Sequence, residues 1–394
     1  MKHRLILFLI LGIDAFILYL ESTELSISYR EAVILYNTDS FLHHIIHTSL
    51  NLFGQNDFAL RLPMMLMHLS SALLLYVIAK PYVKYERDRL WLVLIYVLLP
   101  GVSSAALLVD NAGLVILLLF LYLYAYSRYE NFAHLLLAAF LFVDGSFAIL
   151  YLGLFFYALK QRETVLLIAS LLLFSFSMYL HGFDTGGTPT GHLLDTLGIY
   201  AAIFSPIVFI YLFYVLYRRF VTKERDLSWY LATTALLFSL LLSLRQRIEL
   251  QMFAPYLMLA LPLAVQSFFH SYRVRLKIFR KNYRRIFVLS FALLCINALA
   301  VFFNKEIYRF LDDTSGHFAY RLHVASEVAD ALHEKKIRCI NANDAKMQLR
   351  LKFYGIGYCE QQQLVADSDA TETDVTIRYK EKVLYGAHVT KIHK

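Results

Sequence analysis

The sequence predicts an α-helical polytopic membrane protein of about eleven transmembrane helices, followed by a small C-terminal α/β extracytoplasmic domain. Three observations carry that prediction. Hydrophobic residues make up 59% of the 394 and charged residues only 17%, with a mean hydropathy of +0.53, whereas an ordinary soluble domain is about one quarter charged. Apolar runs long enough for a hydrocarbon core of roughly 30 Å recur through the first 303 residues. Residues 304–394 return to the composition of a soluble domain.

The opening run LILFLILGIDAFILYL follows Lys2 and Arg4, lacks the small-residue cleavage pattern of a signal peptide and precedes further apolar runs, so it reads as an uncleaved first helix. Spans are expected at 4–20, 61–79, 90–108, 112–127, 132–143, 146–159, 164–180, 198–217, 228–243, 251–269 and 286–303. The pair 132–143 and 146–159 is short, and Asp144-Gly145 between them marks either a shallow hairpin or a kink, which leaves nine or ten spans open.

Four basic connectors set the orientation. One holds Lys80, Lys84, Arg87 and Arg89, one Lys160 and Arg162, one Arg218, Arg219, Lys223 and Arg225, and the fourth is YRVRLKIFRKNYRR, residues 272–285. The positive-inside rule puts all four in the cytoplasm, and residues 21–60, 181–197 and 304–394 outside. The domains are then a membrane domain, 1–303, with its first external loop, 21–60, and a soluble domain, 304–394. The formal charge of +8 does not point to nucleic acid, because the positive clusters lie between apolar runs. Three cysteines supply no metal framework. Cys295 falls in a span, and Cys339 and Cys359 share the tail, where they can pair if it faces an oxidising compartment.

This threading gathers acids on the outer face: Glu21, Glu24, Glu31 and Asp39 in the first loop, Asp110 at the start of the fourth span, Asp184 and Asp195 in the 181–197 loop, and Glu249 beside Arg245 and Arg247. Charge near hydrocarbon is costly unless paired or hydrated, so the set reads either as a water-filled cleft or as loops that are polar because water touches them. Asp14, inside the first span, needs a partner, by packing or in a polar channel. His43 and His47, four apart on a helix, can chelate a metal, but no HExxH accompanies them. The glycine-rich loop HGFDTGGTPTGHLLD carries no phosphate-loop signature.

The segment from SYREA through LFGQNDFALRLP, then VDNAGLVILLLFLYLYAY and RQRIELQMFAPYLMLALPLAV, resembles the membrane-embedded glycosyltransferases that use lipid-phosphate sugars, the GT-C superfamily of protein mannosyltransferases and aminoarabinose transferases. The resemblance implies a GT-C-like fold in a bacterial cytoplasmic (inner) membrane, with the C-terminal domain periplasmic or extracellular. It implies a polyprenyl-phosphate sugar donor, a lipid, glycan or protein acceptor, and contact with membrane lipids. Where the family has an Asp-Glu pair in the first loop, this chain has Arg30-Glu31: the glutamate is kept and arginine replaces the aspartate. The family's second acidic position falls on Asp110, and its donor-phosphate bases fall near Arg245 and Arg247. The implied catalytic residues are therefore Glu31 and Asp110, with Arg245, Arg247 and Arg30 on the donor phosphate and Glu24, Asp39, His43 and Glu249 as acceptor or loop contacts. No cofactor is required outright; a divalent cation assists some members.

Such a donor keeps its chain in lipid while phosphate and sugar sit at the boundary. The leaving phosphate calls for arginine, which matches it bidentately, and the acceptor calls for a carboxylate to orient or deprotonate it. A transporter or flippase of a glycolipid, or a non-catalytic glycan-assembly protein, is the alternative. In the tail, FAYRLHVASEVADALHEKK and AKMQLRLKFYGIG are expected as helices, IRCINA as a strand, and TDVTIRYKE and KVLYGAHVTKI as a strand pair.

Overall fold

The computed structural model describes residues 2–182, 191–311, 316–366, 374–380 and 382–391. The glycine-rich stretch 183–190, with Asp184, lies outside them. In chain order the helices begin with α1 (Lys2–Glu24), α2 (Tyr29–Tyr36), α3 (Phe41–Phe53), α4 (Asp57–Ile78), α5 (Glu86–Val97) and α6 (Pro100–Leu107). There follow α7 (Asn111–Arg128), α8 (Glu130–Phe140), α9 (Phe147–Gln161), α10 (Thr164–His181), α11 (Leu193–Phe204), α12 (Pro206–Thr222) and α13 (Leu227–Ser243). The last are α14 (Ala254–Leu257), α15 (Leu261–Val274), α16 (Lys277–Phe302), α17 (Ala325–Glu334) and α18 (Ala345–Phe353). The strands are β1 (Asn341–Ala342), β2 (Gln362–Ala366), β3 (Val375–Tyr379) and β4 (Lys382–Lys391). The chain divides into two compact units: residues 1–15, 64–106 and 110–298 form the first, and residues 16–63, 107–109 and 299–394 form the second.

The protein is polytopic and α-helical, but the expectation of about eleven spans is corrected. Among the described residues five helices, α1, α4, α7, α10 and α16, are long and apolar enough to cross, or up to seven spans if each of two bent pairs is counted as one. The reason is that hydropathy counts apolar residues and not unbroken helix. Pro100 begins α6, and the α5–α6 pair bends by 62°; proline lacks an N–H and pushes the residue before it out of helical geometry. Ser205, at φ +65°, separates α11 from α12 just before Pro206, and the axes turn by 105°. Pro255 and Pro262 help cut the expected 251–269 span into α14, α15 and two 3₁₀ turns. Helices α8, α9 and α13 have 11, 15 and 17 residues, so at about 1.5 Å per residue even the longest reaches about 26 Å of a core of roughly 30 Å.

The core of the first unit is aliphatic and aromatic, with Leu92, Val93, Phe147, Leu150, Leu154, Tyr200 and Leu231 among its buried members. Asp14 has a partner within it: His68 Nε2 lies 2.7 Å from Asp14 Oδ2, and the side chains are only 7% and 3% exposed. That enclosure makes the pair a packed feature, with the His68 ring stacked on Tyr96 at 5.8 Å. The basic connectors meet at one end of this unit. Asp88 pairs with Arg273, whose guanidinium covers the Tyr85 ring at 4.2 Å. Arg218 donates to Ser267 Oγ at 3.2 Å. Tyr82, Gln161 and Arg225, one from each of the first three connectors, line one cavity of about 370 Å³.

The second unit contains a four-stranded sheet in the order β1-β2-β4-β3. β1 and β2 run parallel, and β4 runs antiparallel to both β2 and β3. Val375 and Ile377 on β3 and Leu384 and Ala387 on β4 are buried, with Val328 and Leu332 of α17 and Leu351 of α18 in the same core. The expected hairpin and second helix are present. The first helix is shorter than expected, starting at Ala325 after a 3₁₀ turn. The IRCINA strand reduces to Asn341–Ala342 plus a bridge between Cys339 and Gly357. Cys339 and Cys359 form a disulfide with Cα atoms 5.4 Å apart.

Candidate active site

Helix α2, between α1 and α3, begins with a capping box. Ser28 Oγ accepts the Glu31 N–H at 3.2 Å, and Glu31 Oε2 accepts the Ser28 N–H at 2.7 Å, so two N–H groups that a helix start leaves unpaired are satisfied. Glu31 does more than cap. Its Oε1 accepts the N–H of Val109 at 3.0 Å, and its Oε2 lies 3.5 Å from Arg61 Nη2. The residue is 1% exposed. A carboxyl group in that setting is satisfied by protein donors arranged around it.

Arg61 is the centre of this arrangement and is fully buried. Its Nε donates to Leu107 O at 2.8 Å, Nη1 to Leu25 O at 2.8 Å, and Nη2 to Ser26 O at 3.0 Å. Nη1 also reaches Asp57 Oδ1 at 3.4 Å. A guanidinium has five N–H donors in a fixed fork, and here they bind carbonyls at the end of α1 and before α7 as well as the carboxylates of α2 and α4. Tyr354, just after α18, donates to Asp57 at 2.9 Å and accepts the Ile27 N–H at 2.9 Å; burial pushes its phenol pKa up. Gln55 donates to Phe353 O at 2.6 Å.

A second cluster lies at the start of α3. Asp39, His43 and His44 each present a ligand atom, all within 4.8 Å of one another, and Asp39 Oδ1 is 3.2 Å from His44 Nε2. His43 Nδ1 is 3.0 Å from Ile34 O. A proton on that nitrogen leaves Nε2 with its lone pair, the second-shell arrangement seen around metal-bound histidines. The donor set of two imidazoles and a carboxylate suits a divalent cation such as zinc, and this triad is a candidate cation site. His47, four residues beyond His43, instead has its Nδ1 3.0 Å from the Asn51 amide.

The other predicted residues occupy these places. Glu24 is exposed at the end of α1, and Arg30 is exposed in the first turn of α2. Asp110 is half-buried and caps α7, accepting the Ala112 N–H at 2.9 Å. Arg245 and Arg247 are exposed in the link after α13, and among the described residues neither has an ion-pair partner. Glu249, also exposed, accepts from the Gln251 amide at 3.0 Å. Sequence reasoning missed Arg61, Asp57 and Tyr354. The signal for the first two was present, because LFGQNDFALRLP contains both, and an arginine on the fifth residue of an apolar helix needs an internal partner.

No family model matches the chain, and no curated protein does. Solved structures do. ArnT from Cupriavidus metallidurans in the apo state is 13% identical, with a TM-score of 0.57, over 88% of this chain and 83% of that one. The same protein bound to undecaprenyl phosphate is 12% identical, with a TM-score of 0.58, over 89% of this chain and 85% of that one. The chain shares the fold of that protein along most of its length.

Proposed function

We propose that the protein is a glycosyltransferase of the GT-C type, moving a sugar from a polyprenyl-phosphate donor to a lipid, glycan or protein acceptor at the outer face of a bacterial cytoplasmic membrane. The observation that carries this reading is the shared fold with a structure bound to undecaprenyl phosphate, extending over 89% of the chain. The disulfide supports the placement of the C-terminal domain outside, since disulfides persist in oxidising compartments. The meeting of the basic connectors at one end of the first unit supports that end as cytoplasmic.

In this reading Arg245 and Arg247 bind the donor phosphate. Both are exposed and free of ion pairs among the described residues, and a guanidinium neutralises the charge that grows on phosphate as the sugar leaves. Arg30 is a third donor-phosphate contact. Glu31 and Asp110 are the two carboxylates of the reaction. Asp110 orients or deprotonates the acceptor. Glu31, bound to Arg61 and to the Ser28 and Val109 N–H groups, keeps the first loop in its working conformation. Glu24, Asp39, His43 and Glu249 are acceptor or loop contacts, and the Asp39, His43 and His44 triad would hold a divalent cation that orders the loop.

Transfer of radiolabel from polyprenyl-phosphate sugars to membrane acceptors tests this, with Glu31→Gln and Asp110→Asn beside the wild type. Loss of a positioned acid or base costs about 10²–10⁴-fold, so Asp110→Asn is expected to lose turnover on that scale while remaining folded. No transfer from a broad donor panel would remove the enzyme reading. Equal transfer by all three proteins would keep the enzyme and remove these carboxylates.

A further inference from the structure

Within the second unit, Tyr29, Tyr320, Arg321, Lys346, Arg350 and Tyr385 line a cavity of about 260 Å³. Three of these are cations, and among the described residues none makes an ion pair. Arg350 is 6% exposed. Its Nη1 donates to Arg321 O, while its Nε is buried with no hydrogen-bond partner; burial pushes its pKa down. A guanidinium buried without a carboxylate is costly, and one way a protein keeps such a group is to have a ligand complete it. Asp344, also on the wall, uses Oδ1 to cap α18 through the Lys346 N–H at 2.9 Å. Three bases against one acid make the cavity positive.

The remaining surface is aromatic. Tyr29 is 39% exposed with Lys346 Nζ 5.7 Å from its ring centroid, and the Tyr320 hydroxyl is held by Leu384 O at 2.9 Å. Tyrosine offers an apolar face and a polar edge, the pair of surfaces a sugar ring presents in return. The volume is below the roughly 300–1,000 Å³ of sites for drug-sized ligands, which leaves space for one ring and its charged substituent. Inorganic anion alone would leave the tyrosine faces uncovered, and a neutral sugar would leave the guanidinium unpaired.

We propose that this cavity binds a single sugar unit carrying a phosphate or a carboxylate, with Arg350, Arg321 and Lys346 on the anion and the tyrosines against the ring. That the ligand belongs to the acceptor rests on the glycosyltransferase reading; that it binds does not.

Equilibrium dialysis of the full-length protein in detergent, with glucose 6-phosphate, glucuronate, glucose and inorganic phosphate as probes, tests the proposal. The two acidic sugars are expected to bind saturably and more weakly as salt rises. Glucose and phosphate should each bind at least about tenfold more weakly, since each lacks one half of the recognition. Lys346→Gln and Arg321→Gln, both at exposed positions, should each lower affinity for the acidic sugars by about threefold to tenfold, and Arg350→Gln by more where it folds. Absence of saturable binding by either acidic sugar overturns the proposal, as does glucose or phosphate binding as tightly as both. Unchanged affinity in the folded Lys346→Gln, Arg321→Gln double variant overturns it too, by placing binding elsewhere. Transfer activity in a preparation that binds neither acidic sugar would sink this inference and leave the enzyme standing. Binding without transfer from any donor would do the reverse.

Discussion

Asp14–His68 in the first unit and Glu31–Arg61 in the second are both buried acid–base pairs, built on opposite principles. In the first unit Asp14 meets His68 at 2.7 Å, a partner that can give up its charge. In the second unit Glu31 meets Arg61 at 3.5 Å, a partner that stays charged. The weaker direct contact has the denser surroundings. Arg61 binds backbone carbonyls of Ser22, Leu25, Ser26, Asp57 and Leu107, and Glu31 accepts two backbone N–H groups. A charge that cannot be neutralised is tolerated in a dry interior only when nearly every donor is used. The difference marks Arg61 as the organiser of the first loop and Asp14 as a local accommodation within apolar packing.

The largest effect expected from this contrast belongs to Arg61→Ala. Removing it strands a buried carboxylate and several carbonyls, a change worth about 3–5 kcal/mol. Arg61→Lys should recover only part, because an ammonium cannot reproduce the planar fork. Thermal unfolding in detergent reads both. A loss under about 1 kcal/mol for Arg61→Ala would show that water reaches the site and that the network is not what holds the loop.

Glu31→Gln sharpens the same point. The amide is isosteric but brings its own donor toward Arg61 or toward the Ser28 or Val109 N–H, so a stability cost of about 1–3 kcal/mol is expected. Measured beside turnover, the variant separates bracing from chemistry. Turnover per folded molecule that falls by less than about tenfold would confine Glu31 to holding the loop; a fall on the 10²–10⁴-fold scale of a lost catalytic group would make it a participant.

The first unit should be more forgiving. Asp14→Leu combined with His68→Leu removes both members and strands no backbone group, and replacing a buried pair by apolar residues of similar volume is often neutral or stabilising. Unfolding midpoints should show a net change within about 1 kcal/mol. The single variant Asp14→Leu leaves His68 without its acceptor and should cost about 1–3 kcal/mol. A double variant as damaged as Arg61→Ala would break the comparison and return Asp14 to the role of a polar pathway.

The sequence made some of this legible. The apolar composition and the basic connectors identified a polytopic protein with one positively charged end, and the alternation in TDVTIRYKE and KVLYGAHVTKI yielded β3 and β4, because both signals are local. Span number was not legible, since Pro100, Pro206, Pro255 and Pro262 break helices inside runs whose average hydropathy stays high. Strand β2, QQLVA, escaped notice because five residues that open on two glutamines and do not alternate declare themselves only through their partners on both sides, β1 and β4. Glu31 was visible as an acid in the first loop. Its partner was not, because Arg61 lies thirty positions away in sequence at the start of an apolar helix, where an arginine resembles an ordinary helix-end charge.

Another buried basic group of the second unit, His323, shows a different way to keep such a group dry. His323 is 1% exposed, 3.1 Å from the Tyr308 hydroxyl through Nδ1, and near His317, whose pKa is also lowered by burial. Burial, with Lys305 and His317 adding to it, pushes the His323 pKa down to about 3. The unfolded chain, near an ordinary value of about 6.5, therefore binds a proton that the folded chain refuses between those two pH values. Stability is then fully present above about pH 6.5 and falls as the pH drops toward 3, with a limiting slope of about 1.4 kcal/mol per pH unit for this one group. From pH 7 to pH 6 the loss is under about 1 kcal/mol, and it should shrink in His323→Gln, which has no charge to refuse. Unfolding midpoints of the two proteins between pH 7.5 and 5 decide the matter. Parallel curves would mean that His323 takes up its proton in the folded state, and that an uncharged base in the second unit is no more secluded than its surface histidines.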